Sequence, residues 1–544
     1  MTFPANPTSN MHGGLDSPAD ESELRGDVLT VAGWCLMDET AVSHVDVLIN
    51  GVEIGRARTF LERPDIAAVY PHRDAPVAGF QMLVPLEEWS PKAPLEVSVI
   101  ATGLDGRRWY SKSSRLRRVV DEASRATSDP RQLDEQRKLM LAKRGAPRET
   151  PKVVVVTHDL GYGGAQLWLS EALRQFRELD HFTFDIISFM DGPLRQPLEE
   201  AGAFVHVTPP PAINGLAAHD GRVTEFAVLF RALEADAVMV NTIVPFQAVE
   251  AAHLLGLPVV WVVHESYGLS VFCHTLWGDA VDSRVRDRFA EAFGLAEALV
   301  FQAEQTADLF SHLSLASRRH VLDHGVDIAE IDEYRRNFDR AGARAQHGWT
   351  DHDIVFAVVG TFDGRKAQAA VVAAFDEVLS VHEEAHLVMV GVQGGPFGDA
   401  VAEQVRRLDS PHRVTLVPLT PDTYYWHAIA DVAVCASDIE SLPRSILEAM
   451  ASGQPVVSTD VFGLATLIDD GVTGWLTRCS DLQGLVATMD RALRLQPAER
   501  RTVAIAARQE VERRSSSSYG LALANALSAL MVDRNVNLQP ILSR

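Results

Sequence analysis

The 544-residue chain lacks the cysteine density of a disulfide framework or a metal site. Its four cysteines, Cys35, Cys273, Cys435 and Cys479, are far apart and form no metal-ligand pair. Cys435 falls in an apolar strand pattern, so reduced, buried thiols in a cytosolic protein are the simplest reading. Long apolar runs are missing as well. None approaches the roughly 20 residues that span a bilayer, and the polar N-terminus MTFPANPTSNMHGGLDSPADE has no apolar signal core. The expectation is a soluble protein whose chemistry faces the cytosol. Positive charge is in short supply: 50 basic against 73 acidic residues give a net charge of −23. Such a surface repels nucleic acid and argues against general docking on anionic lipid. No Gly-x-Gly-x-x-Gly occurs, so dinucleotide oxidoreduction has little support.

The length calls for three or four domains, and a 47 % hydrophobic composition can fill their cores. Residues 1–22, rich in Pro, Ser, Asn and Gly, read as a disordered tail. Over residues 23–120 short alternating runs are separated by turn signals such as Asn50-Gly51 and Asp105-Gly106, the pattern of a small antiparallel β-sandwich. Its Trp109 and Tyr110 read as core residues by alternation, with sugar stacking as the other option. Residues 121–150 are charged and helix-prone. Arginines and lysines over 131–148 read as a solvated linker helix, or as a patch for peripheral membrane or protein contact. Strands then alternate with helices over 151–325 and again over 326–510, which predicts two α/β domains with parallel sheets whose carboxyl strand ends face a cleft. Residues 511–544 are expected to be helical.

Three phrases carry candidate chemistry. In SDIESLPRSILEAMASGQPVV (437–457), Pro443 suits a first helical position and Ser441 an N-cap, so the unpaired N–H groups around Leu442 to Ser445 can attract an anion. Glu440 lies outside that helix and suits sugar hydroxyls. Glu448, beside Ile446, Leu447 and Met450, needs a partner, and a ribose diol is one. By spacing alone, the same segment is also an ordinary amphipathic helix with two solvated glutamates. In HDLGYGGAQ, Gly163 and Gly164 let the backbone approach a ligand, or simply make a tight turn. In VVGTFDGRKAQ, Arg365 and Lys366 follow a strand and are either solvated or aimed at the ligand. His264 closes VVWVVH and is open to a structural or a catalytic reading.

The 437–457 segment resembles the E-x7-E signature of retaining glycosyltransferases of the GT-B fold, family 4 (group 1). It matches at Glu440, Pro443, Leu447, Glu448, Ala449, Met450, Ala451, Gly453, Pro455, Val456 and Val457, and departs at Ser441, where glycine is frequent. The β-region resembles accessory domains found beside some bacterial glycosyltransferases. The resemblance implies two Rossmann-like domains, a C-terminal helix (511–544) crossing back onto the first, and transfer with retention from a nucleotide-diphosphate sugar to a hydroxyl of a glycan or glycolipid. With no Asp-x-Asp in the cleft motifs and no His/Cys metal set, metal-independent transfer is the expectation. It casts Lys366 as the diphosphate ligand, His264 as a residue meeting the donor sugar, and Gly163 and Gly164 as a loop near donor and acceptor. Catalytic candidates are therefore His264, Glu440 and Lys366. Gly163, Gly164, Arg365, Lys366, Glu440, Ser441, Leu442, Pro443 and Glu448 are the candidate donor contacts. Thr361 stands where many members carry arginine, a charge Arg365 can replace, and Thr466 stands in place of a usual glutamate. Ala367 replaces a usual glycine, which a helix start tolerates. A nucleotide-sugar epimerase, a sugar phosphorylase and a non-catalytic glycan-binding protein remain alternatives.

Overall fold

The computed structural model describes residues 11–86, 89–90, 94–119, 150–178, 182–210, 215–278, 281–322, 324–515 and 519–542. The helix-prone stretch expected over 121–150 lies outside them except for its last residue. The chain forms two compact units: residues 1–120 with 325–513, and residues 121–324 with 514–544.

The N-terminal β-domain comprises β1 (Met11–Ser17), β2 (Ser22–Arg25), β3 (Val28–Met37), β4 (Val42–Ile49), β5 (Val52–Leu61), β6 (Gly79–Pro85), β7 (Leu95–Gly103), β8 (Arg108–Tyr110) and β9 (Ser114–Val119). They join in one continuous curled sheet of order β1-β3-β6-β5-β4-β7-β9-β2, with β8 on β7. Every pair is antiparallel except β2 and β9, so the sheet is mixed where an antiparallel sandwich was expected. Val31, Val45, Val47, Val97, Val99 and Trp109 fill one core between its faces, which assigns Trp109 to packing.

Ordered structure starts earlier than composition suggests. Residues 11–17, read as part of a disordered tail, form β1 and pair with β3 from Met11–Met37 to Ser17–Ala32. The glycines there serve close packing: a methyl added at Gly13 would lie 2.7 Å from the Trp109 ring.

The first α/β domain contains β10 (Lys152–Thr157), α1 (Gly164–Glu178), β11 (Thr183–Ser188), β12 (Phe204–Val207), β13 (Ala237–Asn241), β14 (Val259–Val262), β15 (Ala298–Phe301) and β16 (Arg319–Val321). Its parallel sheet runs β12-β11-β10-β13-β14-β15-β16. The second contains β17 (Ile354–Val359), α2 (Gln368–Leu379), β18 (Ala385–Val392), β19 (Val414–Pro418), β20 (Val432–Cys435), α3 (Arg444–Ala451), β21 (Val456–Thr459) and β22 (Gly474–Thr477), in the order β19-β18-β17-β20-β21-β22. Strand direction of travel reverses between β10 and β13 in one sheet and between β17 and β20 in the other. In open parallel sheets, ligands bind outside the carboxyl ends at such a switch point.

The C-terminal region contains α4 (Pro497–Ser515) and α5 (Tyr519–Val532). Helix α4 runs unbroken through the boundary expected at residue 510. Helix α5 packs on α1 in the first α/β unit: Tyr519 stacks on Trp168 at 4.9 Å and donates its hydroxyl to the Trp168 carbonyl at 3.1 Å. Among the described residues, no helix is long and apolar enough to cross a membrane.

Candidate active site

The loops after β17 and β20 meet at the switch point of the second α/β domain. Asp438 N–H donates to the Arg365 carbonyl at 2.8 Å, joining the two loops through backbone. Three charges gather there. Glu440 Oε1 lies 3.2 Å from an Arg365 guanidinium nitrogen and 3.4 Å from Lys366 Nζ, and the same guanidinium donates to the Ile439 carbonyl at 3.0 Å. Burial would raise the Glu440 carboxyl, but Lys366 and Arg365 outweigh it and hold it below its ordinary range. Glycine at 360 makes room for the ammonium, since a methyl there would sit 3.0 Å from Lys366 Nζ. Ala367 closes the loop with φ +52°, a left-handed conformation that explains why glycine suits this position.

The helix after Glu440 begins later than its sequence suggests. Pro443 is the N-cap of α3, with φ −71° and ψ 123°, and no side chain caps it. Ser441 is therefore not the N-cap. Proline disfavours helical geometry at Leu442 before it, and Pro443 itself has an extended ψ, so the first helical residue is Arg444. The Leu442 side chain is buried among Ile446, Val461 and Leu464, which leaves only its backbone for a ligand. Glu448 already has partners: Arg444 Nε at 2.8 Å and Thr423 Oγ1 at 3.2 Å. A carboxylate has about four acceptor sites, so these bonds leave capacity for hydroxyls.

In the first α/β domain, a second polar network occupies the carboxyl ends of β10, β13, β14 and β15. His264 Nε2–H donates to Asn241 Oδ1 at 2.8 Å, and its Nδ1 accepts from Gln302. Burial, helped by the nearby His158, pushes its pKa down to about 3 against the pull of Gln302. The ring is neutral and engaged on both nitrogens, which does not suit a proton carrier. His158 is different. Its Nε2 lies 2.8 Å from Asp159 Oδ2 and its Nδ1 3.0 Å from Thr242 Oγ1. Burial opposes its charge, but Asp159 and then Glu265 prevail and raise its pKa.

His158, Asp159, Asn241 and Thr242 are site candidates that motif reading missed. The signal was available, because each closes or directly follows a strand at the switch point. Thr242 adds a second flag: φ +74° is a strained value for a β-branched residue. At Gly163 an added methyl would lie 2.2 Å from Gln166 Oε1, so that side chain would have to shift, whereas nothing crowds Gly164.

The family described as Glycosyl transferases group 1 matches residues 339–510, and Glycosyltransferase Family 4 matches residues 162–330. The chain belongs to the family 4, group 1 glycosyltransferases. Relatives of this chain include the D-inositol 3-phosphate glycosyltransferase of Nocardia farcinica, 32 % identical over 35 % of the chain and 42 % of the relative. Another is D-inositol 3-phosphate glycosyltransferase 1 of Catenulispora acidiphila, 28 % identical over 63 % of the chain and 87 % of the relative. The chain spans less than two thirds of the first relatives it matches. Among solved structures, HepE of Anabaena in complex with UDP and glucose is 22 % identical with a TM-score of 0.56, covering 70 % of this chain and all of HepE. WaaG, a glycosyltransferase involved in lipopolysaccharide biosynthesis, is 16 % identical at the same TM-score, covering 69 % of this chain and 99 % of WaaG. These likenesses show the GT-B fold.

The ring of His264 gives the chain a pH signature. An unfolded histidine binds its proton near pH 6.5, the folded one only near 3. The unfolded state therefore takes up the proton first. The ring's contribution is fully present above pH 6.5 and is lost as pH falls toward 3, at about 1.4 kcal/mol per pH unit. Between pH 7.5 and pH 5.0, denaturant unfolding of a His264→Gln variant should show a drop smaller than wild type by about 2 kcal/mol. Equal drops would remove this ring from the account.

Proposed function

We propose that this protein transfers a glycosyl group from a nucleoside-diphosphate sugar to a hydroxyl acceptor, with retention of configuration and without a metal ion. The observation that carries the reading is the Glu440–Arg365–Lys366 cluster at the switch point, beside the start of α3. As the bond from the anomeric carbon to the diphosphate breaks, negative charge grows on the leaving group. Lys366, Arg365 and the amides after Glu440 meet that charge with fixed donors. The acceptor oxygen bonds the anomeric carbon on the face the diphosphate leaves, and its proton passes to the departing diphosphate oxygen. Glu440 holds donor-sugar hydroxyls and Glu448 the ribose diol. His264 contributes by fixing Asn241 and Gln302, and His158 with Asp159 is the candidate pair for acceptor hydroxyls. The reading includes a soluble enzyme facing the cytosol in bacterial glycoconjugate synthesis.

The test begins with thermal shifts against nucleoside diphosphates and their sugars. A ligand that binds only the folded state at about 100 times its Kd adds about 2.7 kcal/mol. UDP-glucose and D-inositol 3-phosphate are the first donor and acceptor to try, given the titles and names of the similar proteins. Expected results are stabilisation by one nucleotide, release of that nucleotide only with a hydroxyl acceptor, and an unchanged rate in EDTA. Phosphate-dependent cleavage, or no stabilisation by any nucleotide, would overturn the reading.

A further inference from the structure

Strand β5 of the N-terminal domain lies against the same two loops that carry Arg365, Lys366 and Glu440. Its ladder with β6 slips between Arg58 and Leu61, a bulge. Within it Phe60 takes φ +58°, an outlier for a bulky residue. Bulges re-aim side chains. Here the bulge places Phe60 in the core of the second α/β domain, with Ala367, Val371 and Leu485, rather than in the core of its own sheet. Ala367 follows Lys366 directly and is itself left-handed, so two strained residues pack in one cluster.

The neighbours of Phe60 extend the contact. Leu61 lies against Gly364, where an added methyl would meet its Cδ2 at 3.1 Å. Arg58 Nε is 3.2 Å from Asp438 Oδ2, an ion pair rather than an aligned hydrogen bond. Ser480 Oγ donates to the other Asp438 oxygen at 2.9 Å. Asp438 lies two residues before Glu440, and its amide binds the Arg365 carbonyl. Arg56 anchors the strand on Asp481 at 2.9 Å.

We propose that β5 positions the donor loops, with Arg58 and Phe60 as positioning residues that set Glu440 and Lys366 from outside the α/β domain. The accessory domain is thereby a structural part of the donor site. This rests on the transferase reading for its kinetic consequence, though not for its structural one. Burial pushes the Asp438 carboxyl up to about 6 even with Arg58 beside it. Without Arg58 the group would protonate or move, and the backbone bond to the Arg365 loop would lose its anchor.

The experiment compares two arginines of the same interdomain contact. Arg73 pairs with Asp376 and Glu377, near the end of α2 far from Lys366, roughly 15 Å along that helix. Arg58→Ala should raise the donor KM about tenfold, with a smaller fall in kcat. Amide exchange should speed up over residues 361–367 and 436–441. Arg58→Lys should restore most of both. Arg73→Ala should leave both segments and the donor KM as in wild type. Exchange and KM within twofold of wild type in Arg58→Ala, or equal changes in Arg73→Ala, would overturn the positioning role. Should the wild type bind no nucleotide sugar, the transferase reading fails while the exchange comparison still decides this one. If Arg58→Ala does not fold, Asp438→Asn cuts the same pair from the other side and should speed exchange in the same two segments.

Discussion

Replacing Lys366 by alanine is expected to lower turnover by two to three orders of magnitude while the protein stays folded. The leaving diphosphate gains charge in the transition state, and a fixed cation aimed there is worth about 2.7–4 kcal/mol in a preorganised site. On the proposed reading, Lys366 supplies that cation. Its ammonium lies against the backbone at Gly360, with only the Glu440 carboxylate as a salt-bridge partner among the described residues. Stability should change little, because a partly exposed ion pair contributes at most about 1 kcal/mol. Lys366→Arg should recover little of the rate. The planar fork is broader than an ammonium, and the space beside Gly360 is already filled. The measurement is single-turnover transfer at saturating donor, with the melting temperature as the folding control. A rate within tenfold of wild type would take the lysine out of the diphosphate site.

How much of this could be read beforehand differs from element to element. Parallel α/β order was legible because buried strands such as VVVVT and AVMVN read as continuous apolar runs between helical segments. The two loops at the switch point of the second α/β domain were legible because chemistry-bearing residues sat directly after such strands. The start of α3 was misplaced because Ser441 and Pro443 are both good helix-start residues, and local preference could not show that Pro443 would take an extended ψ and stand as the cap itself. The Arg444–Glu448 pair is an i,i+4 contact that spacing alone permits, yet the glutamate was assigned to a ribose without it. Residues 11–17 looked disordered because their glycines were read as flexibility. In the fold those glycines admit two tryptophans, Trp34 and Trp109. The role of β5 was beyond reach, because Arg58 and Asp438 are 380 positions apart in sequence. Nothing in FLERPD announces a bulge that turns Phe60 out of its own sheet.

Glu440→Gln is expected to cost as much turnover as Lys366→Ala, and for a different reason. Glu440 is ionised and held between Lys366 and Arg365. An amide keeps the shape and one acceptor oxygen, so sugar hydroxyls can still bind. It loses the negative charge that faces the sugar ring as positive character develops there. It also leaves two cations without their shared carboxylate. The freed cations should bind the diphosphate product more tightly, so the variant should turn over about 100-fold or more slowly while its affinity for the nucleoside diphosphate rises. The double variant discriminates further. If the glutamate and lysine act as one charge-balanced unit, Lys366→Ala with Glu440→Gln should lose less than the product of the single losses. It should also give back the extra nucleotide affinity, because the cation responsible is gone. Fully multiplicative losses with unchanged product affinity would mean that Glu440 serves the sugar and Lys366 the phosphate independently. The contact between them would then be incidental to transfer.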